Sequence, residues 1–124
     1  MEDGRSPVGR LALGAVGESA AATAYRGRGF RVLVRNWRCP AGELDLVLSR
    51  GRLVVFCEVK TRAGASLGGA YEAVTPRKQR KLRQLAEIFL AQAGMAPEGV
   101  RFDVASVTGA GTGPSQVEIF EDAF

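Results

Sequence analysis

Gly42-Glu43-Leu44-Asp45-Leu46-Val47-Leu48, then Ser49-Arg50-Gly51-Arg52, then Leu53-Val54-Val55-Phe56-Cys57-Glu58-Val59-Lys60 is the stretch on which the fold turns. The first arm alternates with the period of a strand. Glu43, Asp45 and Val47 point one way, while Leu44, Leu46 and Leu48 point the other. The second arm sets Val55, Cys57 and Val59 on one face and Val54, Phe56, Glu58 and Lys60 on the other. A short link containing Gly51 makes the two arms a hairpin. Counting outward from that turn brings Asp45 opposite or diagonal to Glu58, within side-chain reach.

The neighbouring segments extend this hairpin. Residues 30–37 are β-branched and aromatic and predict a strand, and Cys39-Pro40-Ala41-Gly42 predicts the turn into the hairpin. Before them, residues 14–26 are Ala-rich and read as a helix that stops at Gly27 and Gly29. Gly14 and Gly17 weaken its beginning, and residues 1–9 read as a flexible tail. After the hairpin, residues 62–72 are Gly-rich and read as a mobile loop. The run Gly64 to Gly69 lacks the Gly-Lys-Ser/Thr of a nucleotide-binding loop. Thr75-Pro76 then opens a second helix, with Thr as cap and Pro in its first turn. Leu82, Leu85, Ala86, Phe89 and Ala93 form its apolar stripe before Gly94 ends it. Strands are predicted over 100–107 and 116–121, with a turn over 109–114. Three meandering strands followed by a helical crossover predict a parallel fourth strand. The expected fold class is α/β, one domain over 1–124 with a mixed sheet flanked by helices.

Composition narrows the chemistry. The chain has 124 residues and no histidine, which excludes Ser-His-Asp and Cys-His sites and any His-ligated metal. Its two cysteines, Cys39 and Cys57, cannot form a four-ligand zinc site. No apolar run reaches the roughly 20 residues of a membrane span. Leu11 to Val16 reads as the start of a helix rather than a signal peptide, so a cytoplasmic protein with reduced thiols is expected. The formal charge of +4 conceals an asymmetry: residues 1–25 sum to −1, residues 26–83 to +10 and residues 84–124 to −5. A basic middle suits phosphate binding, and a solvated Arg-rich face accounts for it equally well.

Asp45 and Glu58 carry the chemical signal. Two carboxylates at close range repel unless a cation lies between them. Hard oxygen ligands with open positions suit Mg²⁺ or Mn²⁺. Glu43 lies two residues along the face of Asp45, and the carbonyl of Val59 can add to the shell. Lys60 is placed to orient a water or stabilise charge building on a phosphate. The alternative is an amphipathic strand in which Glu58 and Lys60 are a surface pair worth under about 1 kcal/mol. Val54 and Phe56 share their face, which favours a covered site over a solvated one.

Several motifs, taken in order, resemble a known family. They are Gly17-Glu18 before an Ala-rich helix, Arg35-Asn36-Trp37-Arg38, Gly42-Glu43-Leu44-Asp45-Leu46, Glu58-Val59-Lys60-Thr61-Arg62, Ala73-Val74 with Lys78, and Arg101-Phe102-Asp103-Val104. Together they resemble the YraN-type family of small bacterial proteins, which is similar to archaeal Holliday-junction resolvases and falls in the restriction-endonuclease-like superfamily with its PD-(D/E)xK signature. The resemblance covers residues 14–107. It implies an αβββαβ core, here with a short extra C-terminal strand. It implies that Asp45 and Glu58 are metal ligands, that Lys60 is the catalytic lysine and that Glu18 adds an acid from the first helix. The proline of the signature is replaced, since Gly42-Glu43-Leu44 precedes Asp45. Superfamily relatives often pair, so a C2 homodimer is expected.

Glu18 read without the resemblance is an ordinary helix-surface acid. Arg35, Arg38, Arg62, Lys78 and Lys81 are candidate phosphate contacts, with Lys78 favoured by its helix N-terminus. Cys57 is expected to pack in the core, Trp37 to pack rather than stack on a base, and Asp103 to be structural. The leading expectation is a Mg²⁺- or Mn²⁺-dependent endonuclease acting on duplex or branched DNA. Its rivals are an inactive nucleic-acid-binding module with the same fold and a protein-interaction domain with solvated acids.

Overall fold

A computed structural model describes residues 6–63, 74–110 and 114–124, with side chains described from residue 14 onward and excepting residues 63 and 110. Helix α1 (Ser6–Gly27) is followed by strands β1 (Arg31–Cys39), β2 (Gly42–Arg50) and β3 (Leu53–Ala63). Helix α2 (Pro76–Ala93) then leads to β4 (Gly99–Ala110) and β5 (Gln116–Phe120). The sheet order is β1-β2-β3-β4-β5; β3 and β4 are parallel and the other neighbours antiparallel. This is the mixed α/β sheet with flanking helices that the sequence predicts, and its order matches a restriction-endonuclease-like core.

α2 forms for the reasons its sequence gives. The Thr75 side chain accepts from the Lys78 N–H at 3.2 Å, and Pro76 occupies the first turn. Gly94 ends the helix in the left-handed region at φ 66°, where a side chain would be strained. Leu82, Leu85, Ala86 and Phe89 bury one stripe against Leu44, Val47, Val54, Phe56, Phe102 and Val104. Trp37 packs edge-on against Phe89 with centroids 5.5 Å apart, a packing role as expected. On the other face of the sheet, α1 buries Ala21, Ala22 and Tyr25 against Leu46, Leu48, Val55, Cys57, Ala105 and Val107. Cys57 is buried, and loss of solvation pushes its thiol far above the ordinary range, so it behaves as a core residue.

Three local expectations need correction. α1 starts at Ser6, so the helix runs through both glycines that seemed to weaken its beginning. Gly17 is required there: a Cβ on it would lie 2.0 Å from Thr61 Oγ1 and 2.9 Å from Thr61 Cβ. Its bare backbone lets α1 cross directly over β3. β3 likewise runs through Arg62 and Ala63, so the first residues assigned to the mobile loop belong to the strand; the run from 64 to 72 lies outside the described residues. The third correction concerns β2. Leu44 packs on the α2 side with Val47, whereas Leu46 and Leu48 pack on the α1 side. The alternation therefore breaks across Asp45. The reason is visible in the ladder: β2 pairs with β3 from Arg50 to Leu46, and beyond Leu46↔Cys57 it leaves β3.

Asp103 is fully buried on β4 and has the structural role its setting suggested. It accepts from Tyr25 Oη at 2.7 Å, from Arg101 Nε at 2.9 Å and Nη2 at 3.0 Å, and from the Asp122 N–H at 2.9 Å. One carboxylate thus joins α1, β4 and the C-terminal segment. Burial, and after it the acidic neighbours Cys57 and Asp103, keep the Tyr25 hydroxyl protonated.

Candidate functional site

The break between β2 and β3 creates the site. Glu58 is the first residue of β3 past the last β2 pair, and Asp45 is its counterpart on β2. Freed from the ladder, Asp45 turns its carboxylate onto β3, where Oδ2 accepts from the Val59 N–H at 2.9 Å. Burial first, and then the like charge of Glu58, push the Asp45 carboxyl up to about 6; the Val59 hydrogen bond opposes the shift, and Glu18 and Glu43 add to it. A cavity of about 10 Å³ is lined by Asp45 and Glu58 together with Leu44, Phe56, Leu82 and Phe102, so the floor beneath the two acids is largely apolar.

Cations surround Glu58. Lys60 Nζ lies 3.9 Å from Glu58 Oε2, and Lys78 Nζ, from the start of α2, lies 3.4 Å from the same oxygen. Lys60 shares the face of Glu58 because both are even positions of one strand, with Thr61 between α1 and the sheet on the other side. From the α1 side comes Glu18, which is 8% exposed. Its Oε1 accepts from Asn36 Nδ2 at 2.7 Å and lies 3.8 Å from Arg35 Nη2. Burial raises the Glu18 pKa, while Arg35 and Asn36 oppose the rise.

The structure therefore brings Asp45, Glu58, Lys60 and Lys78 together, with Glu18 near enough for its charge to act on Asp45. Glu43 also acts on Asp45 through its charge, but its ion partner is Arg38: its Oε1 is 3.4 Å from Arg38 Nε, and both side chains are exposed. No group of three or more Cys, Asp or Glu side chains gathers as a metal cage among the described residues. Arg35 is engaged with the fold, donating to Ser19 Oγ at 3.0 Å and to the Ala15 carbonyl at 3.3 Å. Arg62 lies half-buried near the end of β3, and Lys81 is exposed one turn beyond Lys78. Sequence reasoning missed Asn36. It sits at φ 53° within β1, a conformation Asn tolerates better than the β-branched residues around it, and that Asn in a strand was the available signal. A separate cleft of about 450 Å³ lies at the β2–β3 turn, at the other end of the hairpin, beside the paired Arg52 and Glu98.

The matched sequence span coincides with this architecture. The model of the uncharacterised protein family UPF0102 matches residues 17–107, from the glycine that crosses Thr61 to the end of the β4 core. The chain belongs to that family. It is the YraN-type family that the motifs resemble. A UPF0102 protein of Frankia alni is 50% identical over 113 residues, covering 91% of this chain and 94% of its own. One from Mycolicibacterium vanbaalenii is 51% identical over 98 residues, covering 79% and 81%. One from Moorella thermoacetica is 45% identical over 94 residues, covering 76% and 78%. All the acids and lysines of the site lie within the UPF0102 span. No helix among the described residues is long and apolar enough to cross a membrane.

Among the described residues, the Asp45 and Glu58 carboxylates are the ones that could hold an ion. Two carboxylates without a third suit a cation that keeps several waters and shares its shell with a phosphate, as Mg²⁺ does, rather than a full protein cage. Burial first, and the like charge of Glu58 second, make the ionised Asp45 costly, and a bound cation would offset both. A carboxyl with a folded pKa above its unfolded value binds its proton more tightly in the fold. Its contribution to stability is therefore present at low pH and lost as pH rises from the ordinary carboxyl value of about 3.8 to about 6. Asp45→Asn keeps an acceptor for Val59 and removes the charge. Without metal, it is expected to raise stability at about pH 7.5 by about 1–2 kcal/mol and to flatten the acid-side slope. Urea titrations across this range read the effect; an Asn variant less stable than wild type at neutral pH contradicts it.

Proposed function

We propose that the chain is a Mg²⁺- or Mn²⁺-dependent endonuclease that hydrolyses DNA phosphodiesters, with branched or structured DNA in its substrate range. One observation carries the reading: Asp45 and Glu58 line one small cavity and feel each other's charge where β2 leaves β3, with Lys60 Nζ 3.9 Å from Glu58. Asp45 and Glu58 would hold the ion. When bound, it lowers the pKa of an attacking water and offsets charge building on the phosphate.

The chain's own residues supply the remaining functions. The Val59 N–H fixes the Asp45 carboxylate, so one oxygen is already oriented before any ligand arrives. Lys60 supplies a positive charge beside the reacting phosphate, and the low polarity of the floor strengthens that charge. Lys78 draws the strand's phosphate toward Glu58 from the start of α2. Asn36 and Arg35 hold Glu18 in place, where its charge adds to the field that favours a cation.

The test is a cleavage assay on duplex, flap and four-way-junction DNA, with Mg²⁺, with Mn²⁺ and with chelator. Metal-dependent strand scission is the expected result; no scission on any substrate overturns the assignment. A second reading, a binding module with the same fold and no catalysis, is favoured by the two lysines already neutralising Glu58. Salt-sensitive DNA binding without scission in either metal would select it.

A further inference from the structure

Residues 76–83 of α2 hold five cations and no acid. The arrangement opposes helix formation. Cations at a helix start face the positive end of the dipole, and Arg77 is repelled by Arg80 at i+3 and by Lys81 at i+4. The cations are also not equivalent. Lys78 turns inward to Glu58 at 3.4 Å. Arg83 lies over the Phe102 ring at 4.6 Å and the Phe124 ring at 5.9 Å, so it belongs to the packing of the C-terminal end. Arg77, Arg80 and Lys81 remain, all exposed, and none makes an ion pair or hydrogen bond among the described residues. Helical spacing places them on one stripe, with Arg80 opposite the buried Leu82, Leu85, Ala86 and Phe89 and Lys81 at the edge of that face.

We infer that this stripe of Arg77, Arg80 and Lys81 is a docking surface for duplex DNA, gripping the phosphate backbone next to the site. Charge complementarity points to the occupant: a polyanion lying along the helix relieves the repulsion among these exposed cations. Position fixes the register, since Lys78 joins the stripe to Glu58 and a backbone with one phosphate at the acid pair continues along α2. The inference rests on the nuclease reading but does not require catalysis.

The test is metal-free binding of the full chain to a fluorescent duplex of arbitrary sequence across a salt series. The triple variant R77A/R80A/K81A is expected to flatten the slope of log affinity against log salt by about 2–3 units, near one per cation. Its affinity at moderate salt should fall at least about tenfold. Arg83→Ala should leave the slope unchanged. The melting temperature of the triple variant should equal or exceed that of wild type, because like-charge contacts are removed. An unchanged slope in the triple variant overturns the docking surface and leaves the nuclease reading standing. An equal loss per cation for Arg83→Ala also overturns it, since net charge alone would then explain binding. A lower melting temperature contradicts the view that these cations burden the fold. A wild type that binds no duplex at low salt removes both the surface and the nuclease reading.

Discussion

Asp103→Ala is expected to destabilise the fold by about 3–5 kcal/mol, the range for breaking a buried ion pair from one side. The substitution removes four hydrogen bonds to one carboxylate, from Tyr25, Arg101 twice, and Asp122. It leaves the Arg101 guanidinium, whose side chain is only 16% exposed, without its bidentate partner. Glu121 lies 3.6 Å from Arg101 but is half-exposed, and it cannot replace a bidentate acceptor in the interior. The orphaned Tyr25 hydroxyl and Asp122 N–H add their own desolvation. Tyr25→Phe provides the scale, since it deletes a single hydroxyl and should cost about 1–1.5 kcal/mol. Chemical denaturation reads both, as a shift in midpoint at constant slope. An Asp103→Ala loss no larger than that of Tyr25→Phe would show that the network is not a unit.

Lys60→Ala is the second large effect, expected in function rather than stability. Lys60 is partly exposed, and its 3.9 Å pair with Glu58 is long, so the fold loses under about 1 kcal/mol with it. The metal-dependent cleavage rate should fall by about 10²–10³, the range for removing one preorganised charge from a developing anion. The loss should appear in kcat more than in duplex affinity, because Lys78 and the α2 stripe remain. Lys60→Arg keeps the charge but spreads it over a planar group and should recover only part of the rate. Cleavage equal to wild type in Lys60→Ala removes this residue from the reaction.

The legible part of the molecule was the part with strict period. The Leu53–Lys60 arm has no irregularity, its turn is short, and Asp45 opposite Glu58 followed from counting along the hairpin. α2 was equally clear, because Thr75-Pro76 and Gly94 mark its ends chemically. Errors arose where tertiary contact outweighed local preference. Gly17 counts against a helix by propensity, yet Thr61 leaves room for nothing larger. Leu44 follows the alternation of its neighbours in sequence, but β2 has already left β3 there, and the hydrophobic pattern does not reveal where a ladder ends. Past the break Glu43 lies beside Arg38 on β1, while its charge still acts on Asp45. Asn36 showed the opposite problem, an anomaly present in the sequence whose purpose depends on Glu18 arriving from another element.

The proposed function stands on Asp45 and Glu58 holding a divalent ion together. A crystal structure grown with millimolar Mn²⁺ and measured for anomalous scattering tests it directly. The account predicts one strong peak between the two carboxylates, with Lys60 or Lys78 moved off Glu58, and no such peak for Asp45→Asn. A well-ordered site with both lysines still on Glu58 and no manganese between the acids would contradict it.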